Sequence, residues 1–160
     1  MRRTHQGSCH CGAVRIEVEL DVRKDDPATR ATDGKWWQST YVCNCSMCMR
    51  TRVWKAFVPA RDFRLVAGGD HLVDYQFAGR ELHHPFCRSC GLRPFANGSA
   101  PDLGGDFYCI NVACLDDVDE ADLLAAPITY EDGRHDDWGH PPADARVLGG
   151  PRTSTTEEAR

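Results

Sequence analysis

Apolar and polar residues alternate cleanly in one place near the start of the chain. Val14, Ile16, Val18 and Leu20 are interleaved with Arg15, Glu17 and Glu19. A period of two marks a half-buried strand over 13–20. Residues 21–35 are polar and rich in Asp, with Pro27 and Gly34, and read as a loop. Trp36–Val42 and Val53–Val58 read as two further strands, the second stopped by Pro59. Asp62–Val66 and His71–Phe77 flank Ala67-Gly68-Gly69-Asp70, which predicts a hairpin with a Gly-containing loop. Asp106–Leu115 is the most apolar stretch and the expected core strand. Asp117 and Glu120 have capping-box spacing for a short helix through Leu124, which Pro127 ends. Ile128-Thr129-Tyr130 is the last expected strand. From about Pro141 the chain turns to Pro, Gly, Ala, Thr and charge, with little to bury, and reads as a mobile tail over 141–160. The pattern predicts a mainly β domain with one short helix over 1–140.

Composition narrows the classes of partner. The chain has 160 residues, enough for one core, with 41% hydrophobic residues and a net charge of −5. That mildly acidic balance argues against a nucleic-acid surface, which needs concentrated Lys and Arg. There is no run of about 18 apolar residues, so no membrane span is expected. Met1–Gly7 carries positive charge without an apolar stretch behind it and does not read as a signal peptide, so the expected location is the cytoplasm.

The nine cysteines change the picture most. Disulfides need an oxidising compartment, and an odd count leaves one thiol over. Buried filler would be scattered, but seven of the nine are bunched beside Gly, Ser and Asn: Cys9-x-Cys11-Gly12, Cys43-Asn44-Cys45-Ser46-Met47-Cys48, and Cys87-x-x-Cys90-Gly91. Metal binding explains the bunching. The Cys87/Cys90 pair has the shape of a zinc knuckle, in which two thiolates converge across a tight turn and Gly91 supplies a turn residue with positive φ. It needs two more ligands, as does Cys9/Cys11. Paired, they form a closed Cys₄ site of structural type, closing a loop of about 78 residues.

The triplet Cys43, Cys45 and Cys48 can face one metal together and leave a fourth position. In catalytic zinc sites that position holds water or substrate, and a thiolate-rich set favours a sulfur ligand there. A thiol entering it is deprotonated at neutral pH. Thiolates in excess of the metal's charge favour nearby cations, and Arg50, Arg52 and Lys55 follow directly. The alternative is a second structural site completed by a histidine such as His10, His83 or His84. Cys109 and Cys114 are expected on opposite faces of a strand, as core filler. His135 and His140 sit in a polar turn region and are expected to be solvated.

These motifs, in this order, resemble those of the glutathione-dependent formaldehyde-activating enzymes, a family that also includes centromere protein V. Gly7-Ser8-Cys9-His10-Cys11-Gly12-Ala13-Val14 looks like its opening motif. Cys43-x-Cys45-x-x-Cys48, Phe86-Cys87-x-x-Cys90-Gly91 and Asn111-Val112-x-Cys114-Leu115-Asp116 match in turn, and the resemblance covers about residues 7–140. It implies a β-tent of small antiparallel sheets organised around zinc. It implies structural zinc on Cys9, Cys11, Cys87 and Cys90, and catalytic zinc on Cys43, Cys45 and Cys48; a thiolate site with an open position loses metal readily to oxidation or chelation, so the second zinc is expected to be the labile one. It also implies S-hydroxymethylglutathione synthase activity, formally that of a carbon–sulfur lyase, with glutathione and a small aldehyde as reactants. Arg50 and Arg52 are candidates to hold the carboxylates of glutathione. A homodimer is left open. The sequence departs from the family pattern at Asn44, where members often have His, and at Met49, where they often have a basic residue. Residues 24–40 look like an insertion ahead of the open site.

Overall fold

The computed structural model describes residues 3–22, 40–101 and 104–149. The expected loop beyond residue 22, the insertion up to residue 39 and the tail from residue 150 lie outside the described residues. The described chain is mainly β, with small sheets and two short helices. No helix is long and apolar enough to cross a membrane.

The alternating segment is β2 (Arg15–Leu20), which pairs antiparallel with β1 (Arg3–Ser8) across the turn that carries Cys9 and Cys11. A third strand, β5 (Phe63–Ala67), joins the other edge of β2. The inward residues of β2, Ile16, Val18 and Leu20, are all buried, as the period of two requires. A six-stranded sheet lies against this one. In chain order it contains β3 (Thr40–Cys43), β4 (Lys55–Pro59), β7 (Leu82–His83), β9 (Phe95–Ala100), β10 (Gly105–Asn111) and β11 (Ile128–Glu131). In space the order is β11-β3-β4-β10-β9-β7, antiparallel except where β11 runs parallel to β3. The third sheet is a two-residue pair, β6 (Leu72–Val73) with β8 (Phe86–Cys87).

The two faces of the six-stranded sheet have different jobs. One face sends Ala56, Val58, Phe95 and Ile110 into the main core against Ile16, Val18 and Leu20. By strand alternation and register, the other face carries Tyr41, Cys43, Lys55, Phe57, Phe107, Cys109 and Glu131. Tyr41, Phe57 and Phe107 make a second small core there, through edge-to-face ring contacts with centroids 5.3 and 5.8 Å apart.

Three sequence expectations need correction. The segments flanking Gly68-Gly69 do not form a hairpin: β5 pairs with β2, β6 pairs with β8, and a 3-10 turn over Gly69–His71 separates them. Long-range strand partners outweigh the local turn signal here. The core strand ends at Asn111, and Val112–Cys114 is a 3-10 turn, so Cys114 is buried without lying on a strand face. The helix near Leu124, α2 (Glu120–Leu124), starts from Asp119 rather than Asp117, with no side-chain cap hydrogen bond. Asp117 instead pairs through Oδ1 with Nδ1 of the buried His5, 2.9 Å away. One helix was not anticipated: α1 (Ser46–Thr51), inside the cysteine triplet.

Candidate metal centres

Two turns of similar construction build the four-cysteine centre. In the first, the Gly12 amide donates to the Cys9 carbonyl (2.8 Å), and the Cys9 amide to the Val14 carbonyl (3.0 Å). In the second, the Gly91 amide donates to the Cys87 carbonyl (2.7 Å), and the Cys87 amide to the Leu92 carbonyl (2.9 Å). Gly12 and Gly91 have φ of 75° and 76°, the left-handed region that favours glycine. Each turn thereby brings its two thiols close together.

The four sulfurs of Cys9, Cys11, Cys87 and Cys90 all lie within 4.8 Å of one another. Cys9 and Cys11 Sγ are 3.5 Å apart, and Cys11 and Cys87 Sγ 3.7 Å apart. Zinc–sulfur bonds of about 2.3 Å make a tetrahedron with edges of about 3.8 Å, so the thiols already stand at the spacing of a Cys₄ zinc site. Backbone amides also favour thiolates. Val14 N donates to Cys9 Sγ at 3.3 Å. Amides of Leu92 and Cys11 draw the Cys90 thiol down to about 6, and the amide of Cys90 draws Cys87 down.

The second centre forms where β3 runs into α1. Cys43 is the last residue of β3, Cys45 is the N-cap of α1, and Cys48 sits in its first turn. The Cys45 amide donates to Cys43 Sγ (3.3 Å) and the Cys48 amide to Cys45 Sγ (3.4 Å). The helical turn is what brings Cys48 back beside Cys45. These three sulfurs also lie within 4.8 Å of one another, and no fourth Cys, His, Asp or Glu among the described residues joins the group. The thiols share charge unequally. Hydrogen bonds from Cys43 and Cys48 hold Cys45 well below the usual thiol range, while contacts with Cys43 and Cys45, together with burial, hold Cys48 well above it.

A buried ion pair stands beside this centre. Glu131 on β11 is in register with Cys43, and Tyr41, two residues before Cys43, is in register with Lys55. Lys55 Nζ lies 2.7 Å from Glu131 Oε2, and both side chains are almost fully buried. Lys55 also lies over the rings of Phe57 and Trp138, 5.1 and 5.6 Å from their centroids. Burial alone would push the ammonium down. The carboxylate of Glu131 and the sulfurs of Cys109, Cys48 and Cys43 outweigh it, so Lys55 is held charged. This is a permanent cation for a thiolate-rich site. Lys55→Met is expected to cost about 3–5 kcal/mol by stranding the Glu131 carboxylate, with much of the loss recovered in Lys55→Met/Glu131→Gln. Denaturant unfolding of the metal-loaded proteins checks it.

The segment after β11 closes over Cys43. Asn44, buried between the first two cysteines, donates through Nδ2 to Asp132 Oδ1 (2.6 Å) and accepts from the Arg134 amide (2.8 Å). Gly133 is thereby pressed against the centre. A Cβ added there would sit 2.7 Å from Cys43 Sγ and 2.6 Å from the Trp138 ring, so no larger residue fits unshifted.

The other named residues fall as follows. Lys55 points inward, whereas Arg50 folds back along α1 to donate to the Ser46 carbonyl (2.9 Å). Arg52 donates to the Val147 carbonyl (2.8 Å). Both arginines are exposed. Cys109 is outside the metal-holding groups but on the same sheet face as Cys43, and burial pushes its thiol up to about 11. Cys114 is buried and outside both groups. His135 and His140 are exposed and pair with Asp132 (2.7 Å) and Asp137 (2.9 Å). His84 does not complete the triad. Arg93 Nη1 lies 2.7 Å from its Nδ1, and a guanidinium can only donate. Nδ1 must therefore accept and Nε2 carries the hydrogen, whereas a ligating histidine donates its remaining N–H to an acceptor. Lys55–Glu131 and His84–Arg93 were not legible as pairs in the sequence. Their partners are distant in the chain or only charged residues among many.

Residues 4–128 match the family model described as glutathione-dependent formaldehyde-activating enzyme. Among solved structures, the chain is similar to a structural-genomics crystal structure of a Rhodobacter sphaeroides protein. The two share 35% identity and superpose with a TM-score of 0.57, covering 78% of this chain and 99% of the other. With two cysteine centres able to hold metal on this fold, the chain belongs to the glutathione-dependent formaldehyde-activating enzyme family.

Proposed function

We propose that this protein joins a thiol, glutathione in the first instance, to formaldehyde or another small aldehyde, as an S-hydroxymethylglutathione synthase-like enzyme of the carbon–sulfur lyase class. The observation that carries this reading is the three-thiol centre. It has zinc-ligand spacing, no fourth protein ligand among the described residues, and a buried cation beside it. In this reading Cys9, Cys11, Cys87 and Cys90 hold structural zinc, and Cys43, Cys45 and Cys48 hold the catalytic one. When bound at the three thiols, zinc supplies the Lewis acidity that keeps an entering thiol deprotonated at neutral pH.

The chain's own residues do the rest. Lys55, paired with Glu131, also attracts the sulfurs of Cys43 and Cys48, from a site too buried for water to screen it well. Asn44 and Gly133 hold the wall beside Cys43 in place. Arg50 and Arg52, at the end of α1, are the cations we assign to the carboxylates of the thiol substrate; their exposure suits a ligand arriving from solvent. Positioning the thiolate against the aldehyde is the main source of acceleration. We place the reaction in the cytoplasm, where thiols stay reduced; all the cysteines are free.

The test is exchange NMR on glutathione and formaldehyde with the purified, metal-counted protein. Two zinc ions per chain and exchange faster than the spontaneous reaction are expected. Saturable thiol binding without any acceleration would instead mark a binding protein, and sink the synthase assignment.

A further inference from the structure

His84 has a hydrogen-bond donor with nothing to bind. The side chain is 8% exposed, and its ring is held from several sides. Phe77 stacks on it with centroids 5.2 Å apart, and the backbone amide of His84 is fixed by the Tyr75 carbonyl (3.0 Å) and Asp74 Oδ1 (3.2 Å). Arg93, donating to Nδ1 at 2.7 Å, fixes the tautomer with hydrogen on Nε2. That Nε2 is buried and has no partner among the described residues. A buried donor left unmet is costly, so a clamped N–H of this kind is suited to an acceptor that arrives with a ligand.

The ring belongs to the neighbourhood of the three-thiol centre. Asn111, in register with Lys55, donates through Nδ2 to the Arg93 carbonyl (3.3 Å) and through its amide to the Pro94 carbonyl (2.8 Å), so Arg93 and the ring it holds stand one strand away from the Lys55–Glu131 pair. Burial, with Arg93 beside it, pushes the imidazole down to about 4, so the ring is neutral at physiological pH and Nε2–H is a donor rather than an acid.

We infer that His84 Nε2–H is the hydrogen-bond donor to the aldehyde oxygen in this reaction, held in its tautomer by Arg93 as a positioning residue. This rests on the thiol–aldehyde reading above. As the thiolate sulfur bonds to the carbonyl carbon, the π pair of the C=O bond moves onto oxygen. Nε2–H stabilises that oxygen as its charge develops and keeps its own proton. The oxygen then takes a proton from water, which balances the proton the thiol released beforehand.

Two full-length, zinc-loaded variants and one spectrum test it. His84→Phe keeps a ring against Phe77 but removes the donor; His84→Gln keeps an N–H. Exchange at saturating substrate is expected to fall about 10²–10³-fold in His84→Phe, the range for losing one such donor, with zinc content and KM for glutathione unchanged. His84→Gln is expected to recover part of the rate. In the ¹⁵N-histidine spectrum of the unsubstituted protein, the hydrogen should sit on Nε2, and its signal should move when the hydroxymethyl thioether binds. Unimpaired exchange in His84→Phe, loss of zinc together with rate, a hydrogen on Nδ1, or an unmoved Nε2 signal would each overturn the assignment. If the unsubstituted protein accelerates nothing, the synthase reading fails, and the Nε2 signal alone still decides whether His84 contacts the thioether.

Discussion

Cys87→Ala is expected to unfold the protein at ambient temperature. Its sulfur is fully buried at the junction of two sheets: β8 carries Cys87, and the β1–β2 turn carries Cys9 and Cys11. The sheet to which β8 belongs has only two residues per strand, far too little to stand alone. In the reading proposed above, zinc on the four thiols is what ties it to the β1-β2-β5 sheet. Structural zinc contributes about 10–16 kcal/mol of apparent binding free energy at neutral pH, comparable with or above the whole stability of an ordinary domain, about 5–15 kcal/mol. Removing one thiolate forfeits much of the first figure. Circular dichroism and a zinc count check it: loss of the β signal and of the structural zinc are expected. A folded variant of nearly normal stability would show that the Cys₄ group does not carry the fold.

The fold and the two centres were unevenly legible in the sequence, for identifiable reasons. Short-range signals were reliable. The alternation from Val14 to Leu20 located β2, and the Cys-x-Cys-Gly and Cys-x-x-Cys-Gly turns located the four-cysteine group, because spacing and a glycine determine both locally. Non-local pairing was not readable. Gly68-Gly69 looked like a hairpin loop, but β5 and β6 each found partners elsewhere. Asp117 looked like a helix cap, but His5, brought close by β1, takes its carboxylate. From the sequence, Lys55 reads only as a cation that follows the triplet. That it is buried depends on Glu131, which reaches it through the parallel pairing of β11 with β3. Nothing in the local sequence of either residue encodes that register.

Cys45→Ala should behave in the opposite way to Cys87→Ala, abolishing activity while leaving the fold standing. Cys45 is only partly buried, at the N-cap of a six-residue helix. Its structural loss is one cap interaction, the Cys48 amide to sulfur hydrogen bond, worth about 1 kcal/mol. Its chemical loss is one ligand in three, at a centre with no other ligand atom among the described residues to replace it. The main core, Ile16, Val18, Val58 and Ile110, lies on the other face of the six-stranded sheet and does not touch the change. One zinc per chain should therefore remain, thermal unfolding should drop by only a few degrees, on the order of 2–4 °C per kcal/mol for a chain of this size, and exchange between glutathione and formaldehyde should fall to the spontaneous rate. Retained turnover would place the chemistry outside the three-thiol centre. Unfolding would make that centre a second structural staple, with the sulfurs of Cys43 and Cys48 serving stability rather than a substrate thiol.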